Sequence, residues 1–420
     1  YDLPDERIAR YPVAERDAAK QLYYRAGEIG HGVFRDLPER LAAGTLLVGN
    51  RTRVIHARLF FPLGEGKRPI EIFCLDPLEP VDHARALGAR TQVQWKVLIG
   101  GNRRWKRGDL SLQVPVNGQT VNLLVERRER MDNTFRVAFR WEATDPNLTF
   151  GEILAAAGTL PLPPYLGRET EADDENRYQT VFARTEGSVA APTAGLHFTP
   201  AVLQGLDKKG IDWAEITLHV GAGTFKPVSS PTLGEHEMHR EYFTVSRDFV
   251  GRLLEQKRAG QAVVSVGTTS LRCLESLFYL GAACATGRED LVSPDPVRIG
   301  QWVAEDPALV SVDVVSALSA LHDLLGTRGR AQISGYTRLL LTPAAKIRMA
   351  DGLITNFHQP NSTLLLLVAA LVGEDWRKIY AYALEHDFRF LSYGDSSLLL
   401  PLRGANAEDA EGAEGRRRNI

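Results

Sequence analysis

The chain has 420 residues, is 44% hydrophobic and 24% charged, and carries a formal net charge of −2. That length holds two or three domains, and that composition excludes wholesale disorder. The near-neutral charge excludes a general polyanion binder, though not a local basic patch that docks one RNA.

The opening, through Asp2-Leu3-Pro4 and Tyr11-Pro12, reads as extended and turn-rich. Leu37 to Leu41 predicts a short helix closed by Gly44, and Thr45 to Gly49 a strand. From about Arg58 to Trp141 short alternating segments are separated by Gly, Asn and Pro, with Asn117-Gly118 as a hairpin signal. We read residues 58–149 as a small antiparallel β-barrel domain inserted into a larger α/β domain made of residues 1–57 and 150–403. In that larger part the pattern predicts helices at Pro200 to Lys209, Arg252 to Arg258, Leu271 to Leu280, Val314 to Leu325, Leu364 to Val372 and Trp376 to His386. Strands are expected at Asp212 to Leu218 and Ala262 to Val266. The polar residues 404–420 read as a disordered tail. The longest apolar run, Thr363 to Val372, is too short to span a bilayer, so no membrane is expected. Cys74, Cys273 and Cys284 form no CxxC pair, and no charged-then-apolar leader is visible. The expected setting is reducing and cytoplasmic.

Three segments concentrate imidazoles, hydroxyls and glycines. The first holds Thr193, Gly195 and His197; the second, Thr217 to Phe225, holds His219; the third holds Glu235, His236 and His239. Packing alone rarely asks for that mixture, whereas proton transfer on a small substrate does. His236 and His239 are three apart, not four apart with glutamate between, so no metal site is expected. Gly267-Thr268-Thr269-Ser270 sits between an apolar strand and a helix. Its backbone N–H groups suit an anion or a polar ligand atom, and its hydroxyls equally suit a helix cap. No Walker lysine follows. Asn356 and His358 end a strand before an apolar helix, either as a capped turn or where open α/β sheets hold ligands. Tyr393 offers a ring to a flat base or a cation, beside Asp395. In the insert, Arg103, Arg104, Lys106 and Arg107 surround a tryptophan, as an RNA-phosphate contact or as a solvated loop.

Taken together and in this order, the motifs resemble the S-adenosylmethionine:tRNA ribosyltransferase-isomerase family of queuosine biosynthesis. The resemblance is carried by Gly158-Thr159-Leu160-Pro161-Leu162-Pro163-Pro164-Tyr165, by Arg177-Tyr178-Gln179-Thr180-Val181, by the three histidine segments, and by Gly267 to Arg272, Asp351 to His358 and Ser392 to Asp395. It implies the same two-part fold, no metal and no cofactor. S-adenosylmethionine would be co-substrate and the tRNA anticodon stem-loop the partner of a monomer. The reaction would move and isomerise the ribosyl group onto 7-aminomethyl-7-deazaguanine, giving epoxyqueuosine, adenine and methionine. His197, His219, His236, His239 and His358 form the pool for base and acid, histidine being suited unperturbed. Thr193, Gly195, Thr268, Thr269, Ser270, Arg272, Asn356 and Tyr393 are expected to bind substrate, and Asp395 or Glu235 to hold the methionine ammonium. Two family acids are arginines here, Arg51 and Arg338. They keep open a non-catalytic nucleoside or RNA binder, or an enzyme acting on another acceptor.

Overall fold

The computed structural model describes residues 1–221 and 232–401. The expected tail at 404–420 lies outside the described residues, as do residues 222–225 of the second histidine segment. The core of the large part is a ten-stranded mixed sheet. Its order is Val297–Ile299, Gln332–Thr337, Glu241–Ser246, Asp212–His219, Leu46–Asn50, Val263–Val266, Gly352–Asn356, Ser396–Leu400, Lys20–Arg25, Glu28–Val33. The centre is parallel: Leu46–Asn50 pairs in parallel with Asp212–His219 and with Val263–Val266, which pairs in parallel with Gly352–Asn356. Every residue of Leu46–Asn50, Val263–Val266 and Gly352–Asn356 is buried. That follows from their largely apolar character, since central parallel strands are covered on both faces.

Helices cover the sheet where the sequence supplies caps. Thr199 accepts from the Val202 N–H at 3.2 Å with Pro200 in the first turn, and Ser362 accepts from Leu365 N–H at 3.2 Å. The helix Thr268–Ala285 is buried almost throughout and packs Leu274, Leu277 and Phe278 beside Leu318, Leu321 and Leu325 of helix Val314–Thr327. Each such side chain contributes roughly 1.5–3 kcal/mol on burial. The two helices meet at Gly281, where a side chain would collide with the Ala317 backbone.

The second unit is a six-stranded antiparallel sheet that nearly closes into a barrel. Its order is Arg58–Phe61, Ile70–Glu79, Gln92–Gly100, Thr134–Arg140, Gln119–Met131, Leu110–Val116. The hairpin turn is Asn117-Gly118, both with positive φ (48° and 77°), as a two-residue type I′ connection requires. Alternate residues such as Val121, Leu123 and Val125 point inward and are buried. Helix Phe150–Ala157 adds Phe150, Ile153 and Leu154 to this barrel's core, against Trp95, Phe139 and Trp141. No helix among the described residues is long and apolar enough to cross a membrane.

Candidate functional site

Two adjacent parallel strands, Val263–Val266 and Gly352–Asn356, end side by side. The Gly267 N–H donates to the Ile354 carbonyl at 2.8 Å, which fixes their relative height. Beyond one strand begins the helix Thr268–Ala285; beyond the other lie Asn356 and His358. Gly267 occupies the cap position with φ 93°, and no side chain caps this helix. A glycine takes that backbone freely. The hydroxyls of Thr268 and Thr269 therefore do not serve as caps, and both residues face an open cleft.

The cleft is small, with a cavity volume of about 80 Å³. Thr193 and its neighbours Ala190 to Ala194 form one wall, with Val220 beside them. Tyr165, Leu391 and Ser392 close another, the Tyr165 and Ser392 hydroxyls lying 2.5 Å apart. Thr355 Oγ1 is 3.0 Å from His358 Nε2. Asn356 Nδ2 donates toward His197 Nε2 at 3.3 Å, while its Oδ1 is buried with no hydrogen-bond partner among the described residues. A buried orphan acceptor costs about 1–3 kcal/mol unless a ligand donor satisfies it. Burial pushes the His358 imidazole down to about 3. Burial, with the Arg389 and Arg16 charges, holds His197 at about 4. Both rings are neutral at pH 7, contrary to the unperturbed values that the sequence suggests.

The expected histidines do not all meet in one hollow. His358 lines the cleft and His197 stands one hydrogen bond behind it, lining a smaller cavity with Arg16, Arg177 and Tyr393. His219 instead stacks on His83 of the barrel unit, at 3.9 Å between centroids. Burial lowers His219 to about 4. His239 joins a buried ion pair between Arg272 and Glu241, with the Arg272 guanidinium 3.1 Å from His239 Nε2. Burial opposes ionisation of Glu241, but Arg272 and His239 override it and hold the carboxyl at about 2. Arg272, expected to bind substrate, is thus spent on a carboxylate of its own chain. His236 is half-buried beside Gln301, whose Nε2 donates to the His236 carbonyl at 2.6 Å, and Glu235 is exposed.

Four further expected binders lie off the cleft. The Tyr393 hydroxyl donates to Asp174 at 2.7 Å, and Asp174 also takes both ends of the Arg168 guanidinium at 2.7 Å. Asp395 accepts the Lys20 N–H at 3.0 Å and the Arg389 N–H at 2.8 Å, so it ties chain segments together rather than facing a ligand. Gly195 is buried in the turn before His197, where an added side chain would strike Phe182 and Thr180. Ser270 is buried, and its hydroxyl has no hydrogen-bond partner among the described residues. Tyr165, Thr355 and Ser392 were not among the expected site residues. The prolines before Tyr165, which fix its approach, are the signal that could have marked it. Arg51 donates to Thr217 Oγ1 at 3.0 Å and Arg338 to the Met238 carbonyl at 3.0 Å; neither lines the cleft. Among the described residues no three His, Cys, Asp or Glu side chains gather closely enough to hold a metal ion.

A cleft at the carboxyl ends of parallel strands, faced by a helix start, an amide and an imidazole, places the protein in the α/β class whose ligand sites lie at such strand ends. The chain belongs to the family described as queuosine biosynthesis protein, whose model matches residues 1–399. It is 36% identical over 407 residues to the S-adenosylmethionine:tRNA ribosyltransferase-isomerase of Desulfitobacterium hafniense, covering 95% of this chain and 98% of that one. It is 38% identical to the protein of the same name from Magnetococcus marinus, covering 96% and 93%. Among solved structures it is similar to the S-adenosylmethionine tRNA ribosyltransferase of Thermotoga maritima, at 27% identity and a TM-score of 0.45, over 95% of this chain and 99% of that one.

Proposed function

We propose that this chain is an S-adenosylmethionine:tRNA ribosyltransferase-isomerase. It moves and isomerises the ribosyl part of S-adenosylmethionine onto 7-aminomethyl-7-deazaguanine at the anticodon wobble position, giving epoxyqueuosine in tRNA, adenine and methionine. The observation that carries this reading is likeness along nearly the whole length of both chains to proteins bearing that name. The cleft supports it in kind, gathering a helix start, an amide and an imidazole around one hollow at the strand ends.

Within this reading the sulfonium acidifies the ribose 5′ C–H bonds, the aminomethyl nitrogen attacks as a neutral amine, and methionine leaves as a neutral thioether. Burial keeps His358 and His197 uncharged, so neither enters the reaction as a cationic acid. Their part is to accept or relay hydrogen bonds, with Asn356 Oδ1 taking an N–H of the adenine or the amine. The helix start at Thr268 and Thr269 directs N–H and hydroxyl donors at the anionic or oxygen-rich end of the substrate.

The test is chromatographic detection of adenine released from S-adenosylmethionine. Release that requires tRNA carrying the aminomethyl base supports the reading. Release without tRNA, or none with it, overturns it.

A further inference from the structure

We propose that the barrel end built from residues 63–68 and 102–107 is a docking surface for RNA phosphates, holding the tRNA stem while the cleft takes the reacting base. This rests on the tRNA reading above. The two loops carry six cations, Lys67, Arg68, Arg103, Arg104, Lys106 and Arg107, and one acid, Glu65. They are joined in space: the Arg104 guanidinium donates to the Arg68 carbonyl and, at 3.1 Å, to the Pro69 carbonyl. Between them lies a shallow hollow lined by Leu63, Lys67, Arg68, Arg104 and Lys106.

The basic loop is held in shape. Trp105 is buried, its indole N–H donates to the Gly108 carbonyl at 2.8 Å, and Arg127 stacks on its ring at 5.1 Å. Nearby acids are already taken, Glu71 by Arg58 at 2.7 Å and Asp109 by Arg140 at 2.8 Å. Lys67, Arg68, Arg103, Lys106 and Arg107 are exposed, and none forms an ion pair with another described residue. Like charges gathered on a fixed frame repel one another, and a polyanion relieves that repulsion while releasing its counterions.

Position selects the kind of polyanion. Strand Ile70–Glu79 runs from this end of the barrel to the turn carrying Asp82 and His83, which meets the large sheet at Tyr242 and His219. Ten extended residues span on the order of 30 Å. A free nucleotide cannot bridge that separation, whereas a folded RNA arm can.

The experiment compares wild type with a variant carrying Lys67→Gln, Arg103→Gln, Lys106→Gln and Arg107→Gln. Binding of full-length tRNA is followed by fluorescence anisotropy over a range of salt, and S-adenosylmethionine affinity by calorimetry. If each cation meets a phosphate, the slope of log Kd against log salt falls by about 3 and tRNA binding weakens more than about ten-fold. S-adenosylmethionine affinity stays unchanged, which also reports a folded variant. An unchanged slope and Kd overturn the docking surface while leaving the activity standing. Wild-type protein that binds no tRNA overturns both.

Discussion

His83 of the barrel unit and His219 of the large sheet lie face to face, 2° from parallel with ring centroids 3.9 Å apart. Both are buried at the contact between the two units, with Asp82 and Tyr242 beside them. Burial lowers His219 to about 4 despite the opposing charge of Asp82, and burial together with His219 lowers His83 well below its usual range. On acidification the unfolded chain therefore takes protons first, near 6.5 for an ordinary histidine. The folded state accordingly loses stability as pH falls from about 6.5 toward 4. At pH 5, His219→Gln should reduce the proton uptake on unfolding by about one. Urea unfolding of wild type and variant between pH 5 and 7 measures this, and identical pH slopes would remove His219 from the account.

His358 separates two chemistries. A general acid or base at this position is worth about 10²–10⁴-fold, and glutamine cannot replace it. A neutral hydrogen-bonding ring held by Thr355 can be partly replaced. His358→Gln should keep at least ten times the adenine-release rate of His358→Ala, with no ionisation near 6.5 attributable to this ring in the wild-type pH profile. Equal losses in both variants would restore proton transfer.

Thr268→Val and Thr269→Val remove hydroxyls that face the cleft and leave the helix N–H groups in place. Each should weaken S-adenosylmethionine roughly 2–10-fold, the worth of one hydrogen bond, with an unaltered melting temperature. Titration calorimetry distinguishes this from a structural role, in which melting would shift and affinity would not.

Arg272 and Glu241 are buried together, so removing one partner strands the other charge. Arg272→Met should cost about 3–5 kcal/mol in urea unfolding, and adding Glu241→Leu should restore most of it. A mild single variant with impaired substrate binding would instead return Arg272 to the site.

Much of the fold was legible. Predicted helices at Pro200 to Lys209, Val314 to Leu325 and Trp376 to His386 appear as Pro200–Lys208, Val314–Thr327 and Trp376–Glu385, because caps and apolar spacing are local signals. The barrel declared itself through period-two alternation and Asn117-Gly118. Strands toward one edge of the large sheet escaped notice. Val297–Ile299 and Gln332–Thr337 are short and partly exposed, so they lack the apolar run that marks a central strand. Of the expected residues, Thr193, Thr268, Thr269, Asn356 and His358 line the cleft, each lying in the stretch where a strand gives way to a turn or helix, which is a local signal. The fates of His219 and Arg272 were not, since His83 and Glu241 lie far away in the chain and only tertiary packing brings them close. The depressed imidazoles have the same origin, as burial cannot be read from residue type.

On this reading the substrate nucleoside sits between Thr268, Thr269 and Asn356-to-His358. A crystal structure of the protein with S-adenosylmethionine tests it most directly. Ligand density is expected in that cleft, with a donor of the ligand on Asn356 Oδ1. Density beside His219 and Glu241, with this cleft left to solvent, would contradict it.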